Sequence, residues 1–252
     1  MINTQANATA LNTLRKSLRL SICLELLKYI MEITPSKIKA WDLPTRVWHW
    51  SIVALIAFLW FSAEIADDLM DWHMMAGRTL LGLLLYRIVW GVMGSETARF
   101  SRFVRSPLAA LTELKGLAGG QHTRYIGHNP AGGWFVLVLI ALMALQAISG
   151  LFVSDGYFYE GPWASSVSGD VQDTMMDIHE LGINLIIAAV VIHVLAIVVH
   201  SLRGDHLVGA MITGNKKVST TTADGTPTQW RSPWLALAVA AACVGVLWFV
   251  TA

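Results

Sequence analysis

Charge is what this sequence has least of. Asp, Glu, Lys and Arg together make up 14% of its 252 residues, against roughly a quarter in an ordinary soluble domain. With 55% hydrophobic residues and a positive mean hydropathy, the chain is too apolar to fold in water alone, and lipid is its solvent. Cysteine is nearly absent. Cys23 and Cys243 are solitary and no CxxC or CxxCH occurs, so covalently attached haem, a dithiol redox pair and a cysteine-ligated cluster are all unsupported. The net charge of +1 gives no footing for a nucleic-acid partner. The inverted repeats and broken helices expected of a transporter are also missing.

What the chain does contain is apolar runs of spanning length. Five segments are predicted, from about Pro44 to Ala63, Trp72 to Met93, Gly133 to Val153, Met175 to Leu202, and Pro233 to Ala252. All should be helices, because lipid offers no partner to an unpaired backbone group. The predicted fold class is therefore all-α and integral to the membrane.

The few charges are sorted between the connecting loops. Arg99, Arg102, Arg105, Lys115 and Arg124 lie between the second and third spans, and Arg203, Lys216, Lys217 and Arg231 between the fourth and fifth. The loops after spans one and three hold Glu64, Asp67, Asp68, Asp71, Asp155, Glu160, Asp170 and Asp173 without one Lys or Arg. By the positive-inside rule the N-terminus is cytoplasmic and the C-terminus lies outside. Trp48, Trp50, Trp72, Trp134, Trp163 and Trp234 fall where an interfacial aromatic belt would sit. Near the N-terminus, Leu11, Leu14, Leu18, Ile22 and Leu26 recur at helical spacing beside Arg15, Lys16 and Arg19. This is either a basic amphipathic helix lying on the lipid surface or an over-extended start ahead of Met31. The last span, rich in alanine and without a polar ligand, is expected to face lipid or a partner helix.

Four histidines, His49, His73, His179 and His193, sit inside or at the edge of these spans. His179 and His193 are fourteen positions apart on one helix, which leaves them within about 40° of one face and about 21 Å apart along the axis. The predicted topology places His49 and His193 toward the cytoplasmic side, and His73 and His179, each expected in the first turn of its helix, toward the outside. Two pairs at two depths is the ligand geometry of two stacked haems. A lone intramembrane histidine is more often a hydrogen-bonded structural residue, but several unpaired imidazoles in hydrocarbon would each cost a few kcal/mol. Imidazole on both faces of an iron fills its coordination sphere, which suits electron relay and not oxygen binding. Gly77, four residues after His73, and Gly182, three after His179, leave room on the same face for a flat macrocycle. His122, His128, His200 and His206 read as surface residues, with His200 the substitute should His193 fail as a ligand.

Arg46 and Arg78 are candidates to neutralise haem propionates, the alternative being that they snorkel to the headgroups. Arg87 reads as a snorkelling residue, and Gln146 and Asn184 as partners in interhelical hydrogen bonds.

The stretches WDLPTRVWHW, WHMMAGRTLLGLLLYRIVWG, ARFSRFVRSP, YIGHNPAGGW and DHLVGAMITGNKK resemble the bacterial cytochrome b561 family, which includes the cytochrome b subunit of nickel-iron hydrogenases. The resemblance runs from about Lys39 to Val218 and divides the chain into an N-terminal segment 1–38, a haem-holding unit 39–218, and a linker with an extra helix 219–252. It implies a four-helix bundle with two b-type haems, His49 and His193 on the cytoplasmic one and His73 and His179 on the periplasmic one. It also implies quinone or quinol at one end and a periplasmic c-type cytochrome or hydrogenase subunit at the other. An electron moving between the haems would cross about two thirds of a ~30 Å lipid core, worth on the order of 1.5 kcal/mol at 100 mV. A self-sufficient quinone-linked oxidoreductase acting on a small oxidant such as superoxide, or a haem-free membrane protein, remain the alternatives.

Overall fold

The computed structural model describes residues 16–26, 36–120, 123–218 and 225–251. A short strand β1 (Ser36–Lys39) leads into α1 (Leu43–Glu64) and α2 (Met70–Met93), followed by α3 (Pro107–Ala118), α4 (Pro130–Ser149) and α5 (Gly169–Leu202). The chain then forms α6 (Leu207–Thr213), strand β2 (Asn215–Val218) and α7 (Pro233–Val250). Of these, α1, α2, α4, α5 and α7 are long and apolar enough to cross a membrane.

The helix starts are written locally. The Asp42 carboxylate accepts the Thr45 N–H at 2.9 Å, Asn129 accepts that of Gly132 at 2.6 Å, and a proline follows each cap inside the first turn, where no amide donor is needed. The Asn129–Pro130 signal places the start of α4 three residues ahead of the predicted Gly133, and the helix stops at Ser149 instead of Val153. At 34 residues α5 is about 50 Å long, well beyond a ~30 Å lipid core. It begins at Gly169, so its polar opening turns stand clear of the apolar segment and His179 lies in the third turn, not the first.

One apolar core joins four helices. Ile52 of α1, Leu80 and Leu84 of α2, Ile140, Met143 and Ala147 of α4, and Ile186 of α5 are all buried in it. The fifth span lies outside this bundle and packs along α2, where Ala236 and Cys243 meet Tyr86 and Trp90. Gly82 permits the approach, because a Cβ there would stand 2.7 Å from the Val244 Cα. The expectation for the last span resolves into a partner helix, and that partner is α2.

The loops on the basic side are more ordered than their polar composition suggests. β1 pairs antiparallel with β2, Ser36 opposite Val218 and Lys39 opposite Asn215. Lys216, buried in β2, donates to the Asp205 carboxylate at 2.7 Å and to the Tyr125 carbonyl at 2.6 Å. This ion pair ties the strand to the end of α5 and to the loop before α4. Of the N-terminal amphipathic pattern, residues 16–26 form a helix with Leu18, Ile22 and Leu26 exposed, while Leu11, Leu14 and Arg15 lie outside the described residues.

Several polar side chains depart from the sequence expectation. Arg87 does not snorkel: it is 3% exposed, donates to the Ala98 carbonyl at 3.1 Å, and its guanidinium lies 4.8 Å from the Phe100 ring centre and 5.6 Å from that of Trp48. Trp48 is half-buried instead of a belt residue, its indole N–H donating to the Leu83 carbonyl at 2.8 Å across α1 and α2. Asn184 bonds within its own helix, donating to the Glu180 carbonyl at 2.8 Å, because that face of α5 meets no neighbour.

Candidate functional site

Two histidines at the acidic end of the bundle face each other. His73, in the first turn of α2, and His179, on α5, have ring centres 6.4 Å apart. Each ring is held by the same device on the preceding helix. The His73 Nδ1 lies 3.1 Å from the Leu59 carbonyl and 3.0 Å from the Ser62 hydroxyl, both on α1. The His179 Nδ1 lies 3.0 Å from the Gln146 carbonyl and 3.1 Å from the Ser149 hydroxyl, both on α4. In both cases the serine donates its own proton to that same carbonyl, at 3.1 and 2.9 Å.

The chemistry of this arrangement follows from the acceptor. A carbonyl only accepts, so each Nδ1 must carry the proton and donate it, and each Nε2 is left with a free lone pair. A ring fixed in that tautomer by its other nitrogen is prepared to ligate a metal. Two imidazoles on opposite sides of one metal, with bonds of about 2 Å each, have centres about 6 Å apart. The observed separation fits that requirement. Among the described residues no group of three or more His, Cys, Asp or Glu stands together as a metal cage. An iron porphyrin, which brings four of its own ligands to the metal, would suit such a pair.

The second pair lies at the other end. His49, on α1, is within electrostatic reach of His193 on α5, and its Nδ1 is buried without a partner among the described residues. The Phe135 ring lies parallel to that of His193, with centres 6.3 Å apart. Since α5 runs unbroken from Gly169 to Leu202, His179 and His193 keep their common side and their separation of about 21 Å.

The remaining candidates divide. Around Gly77 a Cβ would meet nothing within 4 Å, so that patch is open. Gly182 is not: the Gln146 carboxamide fills the space its missing side chain leaves. Arg46 turns away from the histidines and caps the end of α6, donating to the Met211 carbonyl at 3.3 Å and to that of Ile212. Arg78 belongs to the interface with α7, donating to the Thr251 carbonyl at 2.9 Å with its guanidinium 4.7 Å from the Trp248 ring centre. Each arginine spends part of its guanidinium on helix-end carbonyls, and the Arg78 Nε has no partner among the described residues.

Two of the expected surface histidines are half-buried. His128 sits between Trp41 and Phe103, ring centres 4.8 and 4.7 Å away. Burial, with Arg87, His193, His49 and Lys216 nearby, pushes its imidazole down to about 3, so it is neutral. The His200 side chain is 12% exposed and lies between Asn129, 3.4 Å from its Nε2, and the Asp205 carboxylate, 4.0 Å from its Nδ1. His206 is exposed as expected, and His122 lies outside the described residues.

Ser62 and Ser149 are the residues that sequence reasoning missed. Both are essentially buried, and each sits in the last turn of the span that precedes its histidine's helix. A search for what holds the second nitrogen of each imidazole, at the same depth, would have found them.

The family model described as prokaryotic cytochrome b561 matches residues 40–214. A curated protein of Cupriavidus necator, "Probable Ni/Fe-hydrogenase B-type cytochrome subunit", is 24% identical over 206 residues, covering 69% of this chain and 84% of that protein. The matched region begins after β1, takes in all four histidines and stops short of α7.

Proposed function

This chain belongs to the prokaryotic cytochrome b561 family, and from that premise we propose that it is a membrane-bound di-haem b-type cytochrome relaying electrons between the quinone pool and a redox protein outside the membrane. Residues 39–218 form the haem-holding unit, preceded by the segment 1–38 and followed by a linker and extra helix in 219–252. His73 and His179 hold the outer haem, His49 and His193 the inner one, and the N-terminus is cytoplasmic. A b-type haem with imidazole on both faces supplies one-electron chemistry with no open coordination position.

The observation that carries this reading is the matched treatment of His73 and His179. Their ring centres lie 6.4 Å apart, and each has Nδ1 fixed by a carbonyl and a serine of the neighbouring helix, which leaves the Nε2 lone pair for a metal. That arrangement holds the ligands before the cofactor arrives and keeps the rings from rotating afterwards. The fourteen-residue step along α5 sets the second pair about 21 Å deeper, toward the other side of the lipid core. The relative's name contains a hydrogenase, so a hydrogenase is one candidate for the outside partner, and a c-type cytochrome is another.

The relay is tested directly in lipid nanodiscs. A short-chain quinol added to the oxidised protein is expected to raise the absorbance of reduced b-type haem, with one electron taken up per haem. A protein that dithionite reduces and quinol leaves oxidised would contradict the quinone end of the proposal.

A further inference from the structure

The loop between α4 and α5 carries the most exposed aromatic pair among the described residues. Tyr157 and Phe158 are each 87% exposed, at the tip of a narrow hairpin closed by the Ser154–Glu160 bridge. Such a pair in water is unfavourable unless something covers it. The tip is built and not slack. The Asp155 carboxylate accepts the N–H groups of Tyr157, Phe158 and Tyr159 at 2.9, 2.9 and 3.0 Å, and the Asp155 N–H donates to the Tyr159 carbonyl at 3.1 Å. The four backbone bonds that matter are local, so the aromatics are displayed in a fixed position.

The hairpin is also coupled to the outer histidine pair. Its base returns through Gly161, whose N–H donates to the Val153 carbonyl at 2.7 Å, and through Trp163, whose N–H donates to that of Leu151 at 2.8 Å. Gly150, next in the same turn, lies so close to the His179 ring that a Cβ there would stand 2.9 Å from its Cε1. Whatever covers Tyr157 and Phe158 is therefore seated beside the site that holds the outer haem in the reading given above.

Charge decides whether that cover is lipid or protein. Asp155 and Glu160 flank the aromatics, Asp170 and Asp173 stand at the start of α5, and all four are exposed. No Lys or Arg occurs between residues 150 and 180, or between 64 and 73. The three backbone donors hold the Asp155 carboxyl below the usual carboxylate range, so it stays charged well into the acid range. Exposed carboxylates with no cation among them in the sequence are repelled by anionic headgroups. They attract a protein face on which lysines or arginines border an apolar spot.

We propose that Tyr157 and Phe158 are the apolar centre of a docking surface for a basic, one-electron redox protein, with the hairpin carboxylates Asp155 and Glu160 beside them and those at the start of α5 adding to the negative field. Buried aromatic anchors set the lifetime of such a complex, and rim charges set the rate of encounter and its salt dependence. The proposal rests on the electron-relay reading and adds to it where the partner sits.

The test is stopped-flow mixing of the dithionite-reduced protein in nanodiscs with oxidised mitochondrial-type cytochrome c, a basic acceptor that takes one electron as one b-type haem is oxidised. Tyr157→Ser/Phe158→Ser is expected to lower the second-order rate constant at least tenfold, with haem content, visible spectrum and midpoint potentials unchanged. In the unaltered protein the same rate should fall as salt rises. A double-variant rate within twofold of the original, or a salt-independent rate, overturns the docking surface while leaving the relay intact. So does a spin label at Phe158→Cys, in a Cys23→Ser background, that meets oxygen but not a water-soluble nickel chelate, since the loop would then lie in lipid. An unaltered protein with no reducible haem overturns both readings.

Discussion

Purified His193→Ala is expected to carry one haem where the unaltered protein carries two, with the remaining haem keeping its original midpoint potential. His179→Ala should lose the other haem and retain the one that His193→Ala lacks. The reason is the separation along α5. Fourteen residues of continuous helix put about 21 Å between the two imidazoles, so removing one does not reach the other. In the proposed assignment imidazole would supply one of the two protein ligands to each iron, and alanine supplies none. Ser149→Ala is the matching control: the Gln146 carbonyl still accepts from the His179 Nδ1 at 3.0 Å, so both haems should persist, the outer one held about tenfold more weakly. Haem assay and redox titration of the three variants read all of this. Retention of both haems in His193→Ala would show that His200 or another group ligates instead.

Arg87→Glu is expected to abolish accumulation of the protein in the membrane. The guanidinium is 3% exposed and lies over Phe100, Trp48 and Phe103, at 4.8, 5.6 and 5.9 Å from their ring centres. Its one hydrogen bond goes to the Ala98 carbonyl, at the turn that follows α2. A carboxylate in its place loses the attraction to three ring faces, leaves that carbonyl unmet, and buries a negative charge near Asp42, for a total of several kcal/mol. Marginal stability leaves no reserve for such a loss. Arg87→Lys keeps the charge without the planar fork and should lower the melting temperature by a few degrees only. Normal membrane levels and an unchanged melting temperature for Arg87→Glu would mean that residue 87 reaches water, as a snorkelling arginine does.

Those two residues mark what the sequence makes legible and what it does not. The spans are readable because lipid imposes one rule, an unbroken apolar run, on every one of them. Their ends are readable where a cap is present: Asn129 and Pro130 announce α4, and only the weight given to the apolar run shifted its predicted start to Gly133. Hydropathy detects the part of a helix in lipid, not the polar turns that extend from it, so the predicted fourth span omits residues 169–174. The histidines stand out as polar groups in apolar surroundings. Arg87 stands out equally, yet its environment is made by Phe100 and Phe103 from beyond the helix end and by Trp48 from α1. No spacing rule on α2 reports those contacts, so the generic expectation for an intramembrane arginine failed. The carbonyls that Arg46 and Arg78 meet are equally silent in the sequence, since they belong to α6 and to the end of α7. The pairing of β1 with β2 joins two four-residue strands at opposite ends of the matched region, too short and too distant for any pattern to connect them.

Ser62 and Ser149 are the instructive omission. Each is an ordinary residue at the end of an apolar run, and each gains meaning only when the second nitrogen of a histidine is followed to its acceptor. Gly77 and Gly182 carry the converse lesson. Both lie a helical turn from a histidine, but only the first leaves open space, because Gln146 projects into the second.

The measurement that bears most directly on the whole account is the haem-to-polypeptide ratio of the purified, unaltered protein, taken together with its redox titration. The account predicts two b-type haems per chain, non-covalently held, titrating as two one-electron components. A single haem per chain at full occupancy, or a colourless protein from haem-replete cells, would contradict it.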